Sequence, residues 1–190
     1  MSTQPRTPVS ASEYLEIERK AEYKSEYCAG EMFAMAGATE AHNILAANML
    51  ALIHYQFRAR DCRVYGSDMR VAVSPEDLYT YPDVSAACGE PRFLDQHRDT
   101  LLNPAVLVEV LSSSTEAYDR GRKFELYQTL DSLQQYVLVA SDRIHVDVYT
   151  RVQDGRWVLR SLGAAADSVE LDPIGCRLLV SELYQKTDLL

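Results

Sequence analysis

Tyr81-Pro82-Asp83-Val84-Ser85 and, further along, Ala105-Val106-Leu107-Val108-Glu109-Val110-Leu111 are two short apolar runs, each with one carboxylate set inside it. Their β-branched content reads as sheet interior, and Pro82, which cannot donate to a ladder, belongs where a strand begins. A bare carboxylate in such a strand is costly unless something positive meets it. Two of them suggest a metal, and Lys123, on the helix-like segment that follows, supplies a cation. The chain reads as built to bring Asp83, Glu109 and Lys123 together.

Downstream of Glu109, Ser112-Ser113-Ser114-Thr115 offers several caps for a helix from about Glu116 to Leu130. On it Asp119, Lys123 and Tyr127 share one face, one turn above another. The competing reading of this row is an ordinary Asp to Lys helical pair with an aromatic beneath it. A strand-rich section follows through Tyr136 to Val139, Ile144 to Thr150 and Trp157 to Leu159, with Asp154-Gly155 as a hairpin turn.

Upstream, Ser10 or Ser12 caps a short helix reaching about Lys20, with Glu13 in its first turn. Tyr23 to Met35 alternates around Ala29-Gly30 as a hairpin whose second strand starts at Glu31. Thr39 then caps a longer helix with His42 in its first turn and Ile44, Leu45, Met49, Leu52 and Ile53 at helical spacing. Short strands at Val64-Tyr65 and Met69 to Val73, a polar loop from Ser74 to Thr80 and the Asp83 to Cys88 strand complete the middle. The polar stretch from Gly89 to Asn103 reads as an exposed connection without a core role. The sum is a mixed α/β chain of α+β type, with a mixed sheet flanked by helices.

Length and composition set the outer limits. A chain of 190 residues, 47% hydrophobic and 25% charged, is most simply one domain, residues 1–190, with a flexible polar stretch over 1–9. No apolar run approaches a membrane span and no leader pattern opens the chain, so a soluble, cytoplasmic protein with no membrane partner is expected. The four cysteines are scattered without a C-x-x-C pair and are expected to be reduced core residues. The net charge of -9 argues against strong non-specific binding to nucleic acid. Arg58, Arg60, Arg63 and Arg70 form one basic cluster and Arg120, Arg122 and Lys123 another; either could make a local patch, but such clusters are usually solvated faces.

The combination of Gly30-Glu31, His42, Pro82-Asp83-Val84, Glu109-Val110-Leu111-Ser112 with Thr115, and Asp119, Lys123, Tyr127 and Tyr136 resembles the Uma2-type (DUF820) endonucleases. These are a branch of the PD-(D/E)XK nuclease superfamily, and the likeness spans roughly residues 10 to 150. Where the superfamily places a lysine two residues after its second carboxylate, Leu111 stands here, and Lys123 looks like its replacement. The family's usual proline, glutamate and aspartate give way to Ser113, Gln135 and Ala140.

The resemblance implies a restriction-endonuclease-like core with Mg²⁺ as cofactor, replaceable by Mn²⁺, held by Asp83, Glu109 and the carbonyl of Val110. It implies Lys123 as the third catalytic residue, with Asp119 and Tyr127 holding it and Glu31 and His42 in support. The implied activity is hydrolysis of DNA phosphodiester bonds, and by superfamily analogy the working form is a homodimer. Two other readings stand beside it: an inactive nuclease fold kept as a protein-interaction module, and a nuclease acting on RNA or another phosphodiester.

Overall fold

The computed structural model describes residues 8–74 and 78–190. The first element among the described residues is α1 (Ala11–Glu18), capped by Ser10, whose side chain and Glu13 satisfy each other's backbone groups in a capping box. The hairpin β1 (Ser25–Cys28) and β2 (Glu31–Ala34) turns through Ala29 and Gly30, both at positive φ (47° and 93°). A Cβ on Gly30 would stand 2.8 Å from the Pro8 side chain, so only glycine fits. Of the expected flexible stretch at 1–9, residues 1–7 lie outside the described residues, while Val9 donates to the Gly30 carbonyl at 3.0 Å. Thr39 caps α2 (Glu40–Gln56), which buries Leu45, Met49 and Ile53 along one face.

Strands β3 (Cys62–Gly66), β4 (Arg70–Ser74), β5 (Leu78–Thr80), β6 (Val84–Cys88), β7 (Thr100–Leu101) and β8 (Val106–Leu111) follow. The helix after β8 is broken in character: α3 (Glu116–Tyr118), a π-helical segment (Asp119–Lys123) and α4 (Phe124–Tyr127). Then come β9 (Gln135–Ala140), β10 (Val146–Arg151), β11 (Trp157–Leu162), β12 (Ser168–Leu171), a 3₁₀ turn (Asp172–Ile174), β13 (Cys176–Leu179) and α5 (Val180–Leu183). The fold is mixed α+β. A six-stranded sheet runs β11-β10-β9-β8-β6-β3, a five-stranded sheet β2-β1-β5-β4-β7, and β12 pairs with β13. The β8–β9 and β4–β7 pairs are parallel, and the other pairs are antiparallel. No helix among the described residues is long and apolar enough to cross a membrane.

Alternation along β8 decides what faces what. Val106, Val108 and Val110 join Leu45, Met49 and Ile53 of α2 in one cluster, while Leu107 and Leu111 join Phe124, Tyr127 and Tyr136 in another. Glu109, between Leu107 and Leu111, therefore points into the layer shared by the six-stranded sheet, the broken helix and the five-stranded sheet. A third cluster of Tyr14, Tyr27, Ala72 and Tyr79 holds α1 on the outer side of the five-stranded sheet.

Four sequence expectations need correction. The loop read from Ser74 to Thr80 ends in strand β5, because Leu78 and Tyr79 are buried against β1 and β4; residues 75–77 lie outside the described residues. The helix read to Leu130 stops at Tyr127 and contains a π-helical turn, a feature with no spacing signature of its own. Cys62 and Cys88, expected reduced, form a disulfide, since the β3–β6 register sets them directly opposite at a Cα separation of 4.0 Å.

The fourth correction concerns 89–103, which is not a bare connection. It contributes β7, with Leu101 fully buried, and delivers Asp99 to two arginines. Arg19 grips Asp99 at 2.8 and 3.0 Å and reaches Asp95 at 2.7 Å. Arg70, only 2% exposed, meets Asp99 at 2.9 Å and donates to Tyr81 Oη at 2.9 Å, and Tyr81 donates to Glu18 at 2.8 Å. This chain of bonds anchors the residue two positions before Asp83.

Hydrogen bonds from Arg19 hold the Asp99 carboxyl below the usual range, against the opposing effect of burial and with help from Arg70. A depressed carboxyl stabilises the fold above its unfolded pKa, about 3.9, and loses that contribution as pH falls toward the folded value. Asp99→Asn is therefore expected to cost about 2 kcal/mol at pH 7. In urea titrations the gap to the wild-type chain should shrink steadily below about pH 4. A gap independent of pH would show that the carboxylate charge is not what matters there.

Candidate active site

Glu109 is 5% exposed, and its Oε1 forms an ion pair with Lys123 Nζ at 2.9 Å and accepts from Tyr127 Oη at 2.9 Å. The Tyr127 hydroxyl also sits 3.3 Å from Thr80 Oγ1. Lys123, the last residue of the π segment and 4% exposed, lies 3.0 Å from Glu26 Oε1 and 3.7 Å from Asp119 Oδ1. Glu26 comes from β1 and is further held by the Thr80 hydroxyl and by the Tyr81 amide at 3.2 Å. Asp119 is 4% exposed, and its backbone carbonyl accepts from Tyr136 Oη at 3.1 Å, which fixes the π segment to β9.

Asp83 reaches the same region from the start of β6. Its Oδ2 accepts the Val110 amide at 2.7 Å, next in sequence to Glu109, and its Oδ1 lies 3.0 Å from His42 Nε2. His42 is placed by the first turn of α2, where Thr39 Oγ1 accepts the His42 amide at 3.3 Å. Its Nδ1 is buried without a partner among the described residues.

Electrostatics follow from this crowding. Burial alone would strip Lys123 of its proton, but Glu109, Glu26 and Asp119 outweigh it and hold the ammonium charged. Burial pushes the Glu109 carboxyl well up, Lys123 opposes this, and the charges of Asp119, Asp83 and Glu26 add to it. Asp119 is raised by burial in the same way, against the pull of Lys123. The Glu26 carboxyl moves the other way: burial would raise it, but Lys123 and the hydrogen bonds from Thr80 and the Tyr81 amide outweigh that cost and leave it lowered. His42 is disfavoured as a cation by burial, yet its bond to Asp83 leaves its pKa raised. Four carboxylates thus share one ammonium and one imidazole.

Of the residues singled out from sequence, the structure gathers Asp83, Glu109, Lys123, Asp119, Tyr127 and His42, with Val110 contributing its amide. It does not gather Glu31, which is exposed in the hairpin opposite Cys28 and has no bond to the cluster. The hairpin's acidic contribution is Glu26, which sequence reading passed over. Alternation with the core residue Tyr27 sets Glu26 on the other face of β1, but only the sheet topology shows that this face looks at Lys123.

Among the described residues, no group of three or more His, Cys, Asp or Glu stands ready to hold a metal ion by itself. Lys123 sits among the carboxylates instead. Mg²⁺ needs only one or two protein carboxylates and keeps several of its waters, so the donor set of Asp83 and Glu109, with its surplus of buried negative charge, fits such an ion.

Two proteins of Synechocystis sp. resemble this chain over most of their length. "Uncharacterized protein slr1290" is 36% identical over 182 residues, covering 95% of this chain and 94% of that one. "Uncharacterized protein sll1609" is 36% identical over 154 residues, covering 81% of this chain and 87% of that one. Among solved structures, that of "a putative nuclease belonging to DUF820" from Anabaena variabilis superposes with a TM-score of 0.75 at 18% identity, covering 93% of this chain and 98% of the other. At that identity the likeness speaks for the fold. The model of the Uma2 family, described as "Putative restriction endonuclease", matches residues 11–180, and the chain belongs to that family.

Proposed function

We propose that the chain is a divalent-metal-dependent endonuclease that hydrolyses DNA phosphodiester bonds, with Asp83, Glu109 and Lys123 as its catalytic residues. The observation that carries this reading is the meeting of three separate elements: Lys123 Nζ lies 2.9 Å from Glu109, and the amide next to Glu109 is bound by Asp83. Asp83 and Glu109, with the Val110 carbonyl beside them, would hold Mg²⁺ or Mn²⁺. Such an ion, when bound, offsets charge on the phosphoryl oxygens and lowers the pKa of a coordinated water.

The chain's own residues then have distinct tasks. Lys123, kept charged by Glu26 and Glu109, offsets negative charge developing at the phosphorus centre and orients the attacking water through its N–H groups. An ammonium held charged by neighbouring carboxylates is a poor proton acceptor, so this role is electrostatic. Glu26, Thr80 and Tyr127 hold Lys123 and Glu109 in one geometry, and Asp119 meets Lys123 from its own helix. His42 fixes Asp83, which Val110 holds from the other side. Glu31, exposed on the hairpin, remains a candidate supporting acid only through water. We place residues 1–190 in one restriction-endonuclease-like domain, with a cytoplasmic homodimer as the working form, since cutting both strands of a duplex needs two such sites.

The deciding experiment incubates the purified chain with labelled duplex, single-stranded and branched DNA and with RNA, in Mg²⁺, Mn²⁺ or EDTA at matched ionic strength. Cleavage of DNA with either ion and none in EDTA is the expected result. Binding should also weaken in EDTA and in salt, because uncompensated carboxylates repel phosphate. A folded protein that cuts nothing would favour the interaction-module reading, in which the Lys123 network is a structural polar core. Cleavage of RNA alone would reassign the substrate.

A further inference from the structure

Phe33 on β2 stands in register with Glu26 on β1, and residues paired across an antiparallel ladder project from the same face. Glu26 reaches Lys123 at 3.0 Å, so the Phe33 ring rises from the face that carries the site. The neighbouring pair, Tyr27 and Met32, points the other way and packs in the tyrosine cluster around Tyr14. Despite its size Phe33 is 51% exposed, and Met35, next on the same row, is 36% exposed. Strand β2 is the outer strand of its sheet, which sets the row at the edge of that face. A second aromatic, Tyr118, lies beside the same lysine, with Lys123 Nζ 6.0 Å from its ring centroid.

Charge makes this apolar row informative. The one ammonium of the site already faces Glu26, Glu109 and Asp119, and the chain as a whole carries -9. Attraction to a phosphate backbone is therefore weak, and a nucleic-acid substrate must gain its affinity elsewhere. Stacking on an exposed aromatic supplies affinity without positive charge, but only to a base whose face is free, which excludes bases inside an intact duplex.

We propose that Phe33 is a base-stacking residue that makes the site selective for nucleic acid with an unpaired base beside the cleaved position. This rests on the nuclease reading above and adds to it a substrate class: single-stranded segments, flaps or junctions rather than continuous duplex.

The test measures binding of a hydrolysis-resistant phosphorothioate oligonucleotide, single-stranded or annealed to its complement, in Mg²⁺. Phe33→Ala should weaken single-strand binding by about tenfold, in line with one lost base–aromatic stack, and leave duplex binding unchanged. Phe33→Trp should retain affinity, and because Trp157 is the chain's one other tryptophan, quenching of the new emission by the oligonucleotide reports the stack directly. Phe33→Leu should behave like the alanine variant. Unchanged single-strand binding in Phe33→Ala, equal loss for duplex, or full rescue by leucine would each overturn the stacking role. Cleavage by the wild-type chain with Phe33-independent binding removes this inference and leaves the nuclease reading intact. Phe33-dependent binding without cleavage in any divalent ion does the reverse, and absence of both binding and cleavage overturns both.

Discussion

Glu109→Gln and Asp83→Asn are each expected to lower metal-dependent cleavage by roughly 10³-fold or more, corresponding to several kcal/mol of lost charge stabilisation at the reacting phosphate. Both substitutions keep shape and remove charge. A single remaining carboxylate holds Mg²⁺ poorly among its reluctant waters, so binding of the ion, followed by calorimetry, should fall together with cleavage. The two variants should differ in stability. Asp83 is tied to His42 and to the Val110 amide, and an amide oxygen can still accept the latter, so Asp83→Asn should unfold close to wild type. Glu109→Gln removes a buried carboxylate from a set crowded with like charge, and should be neutral or mildly stabilising in EDTA. Cleavage near the wild-type rate in either variant would remove that residue from the site.

Lys123→Met separates catalysis from architecture. Turnover is expected to fall by roughly 10²-fold or more, as for loss of a group that stabilises the transition state, while metal affinity is kept or strengthened because a nearby positive charge is gone. Stability should move in the opposite sense to Glu109→Gln. Without the ammonium, Glu26, Glu109 and Asp119 face one another in a site that is almost closed to water. Breaking a buried ion pair from one side costs about 3–5 kcal/mol. Chemical denaturation in EDTA should show a loss of that order, and added Mg²⁺ should restore part of it. Lys123→Arg, which keeps the charge, guards against a variant that fails to fold; it should recover stability but not full turnover, because the guanidinium is wider than the space among three carboxylates. Wild-type turnover in Lys123→Met would reduce the residue to a structural ion pair.

Much of this molecule is determined locally. Ser10 with Glu13, Thr39 before a helical apolar stripe, Ala29-Gly30 between two alternating runs and Asp154-Gly155 each fix an element through short-range geometry, and each element is present. The two carboxylates are legible for the same reason. A charge inside an apolar strand demands a partner whatever the fold, and Lys123, in phase with Asp119 and Tyr127, is the partner that helical spacing offers.

What needed the tertiary structure is everything set by pairings between distant segments. Glu26 belongs to the cluster only because β1 pairs with β5 and so faces the helix after β8, whereas Glu31 on the adjoining strand faces solvent. His42 meets Asp83 because α2 crosses the sheet that β6 belongs to, a contact spanning 41 positions in sequence. Leu78, Leu101 and the Cys62–Cys88 bond sit in polar or featureless stretches and are buried or joined by register alone. Short-range propensity acts over a few residues, while sheet register is chosen by burial across the whole chain. The sequence by itself therefore determined which groups must meet a partner, and only the packed sheets decided which partner each one met.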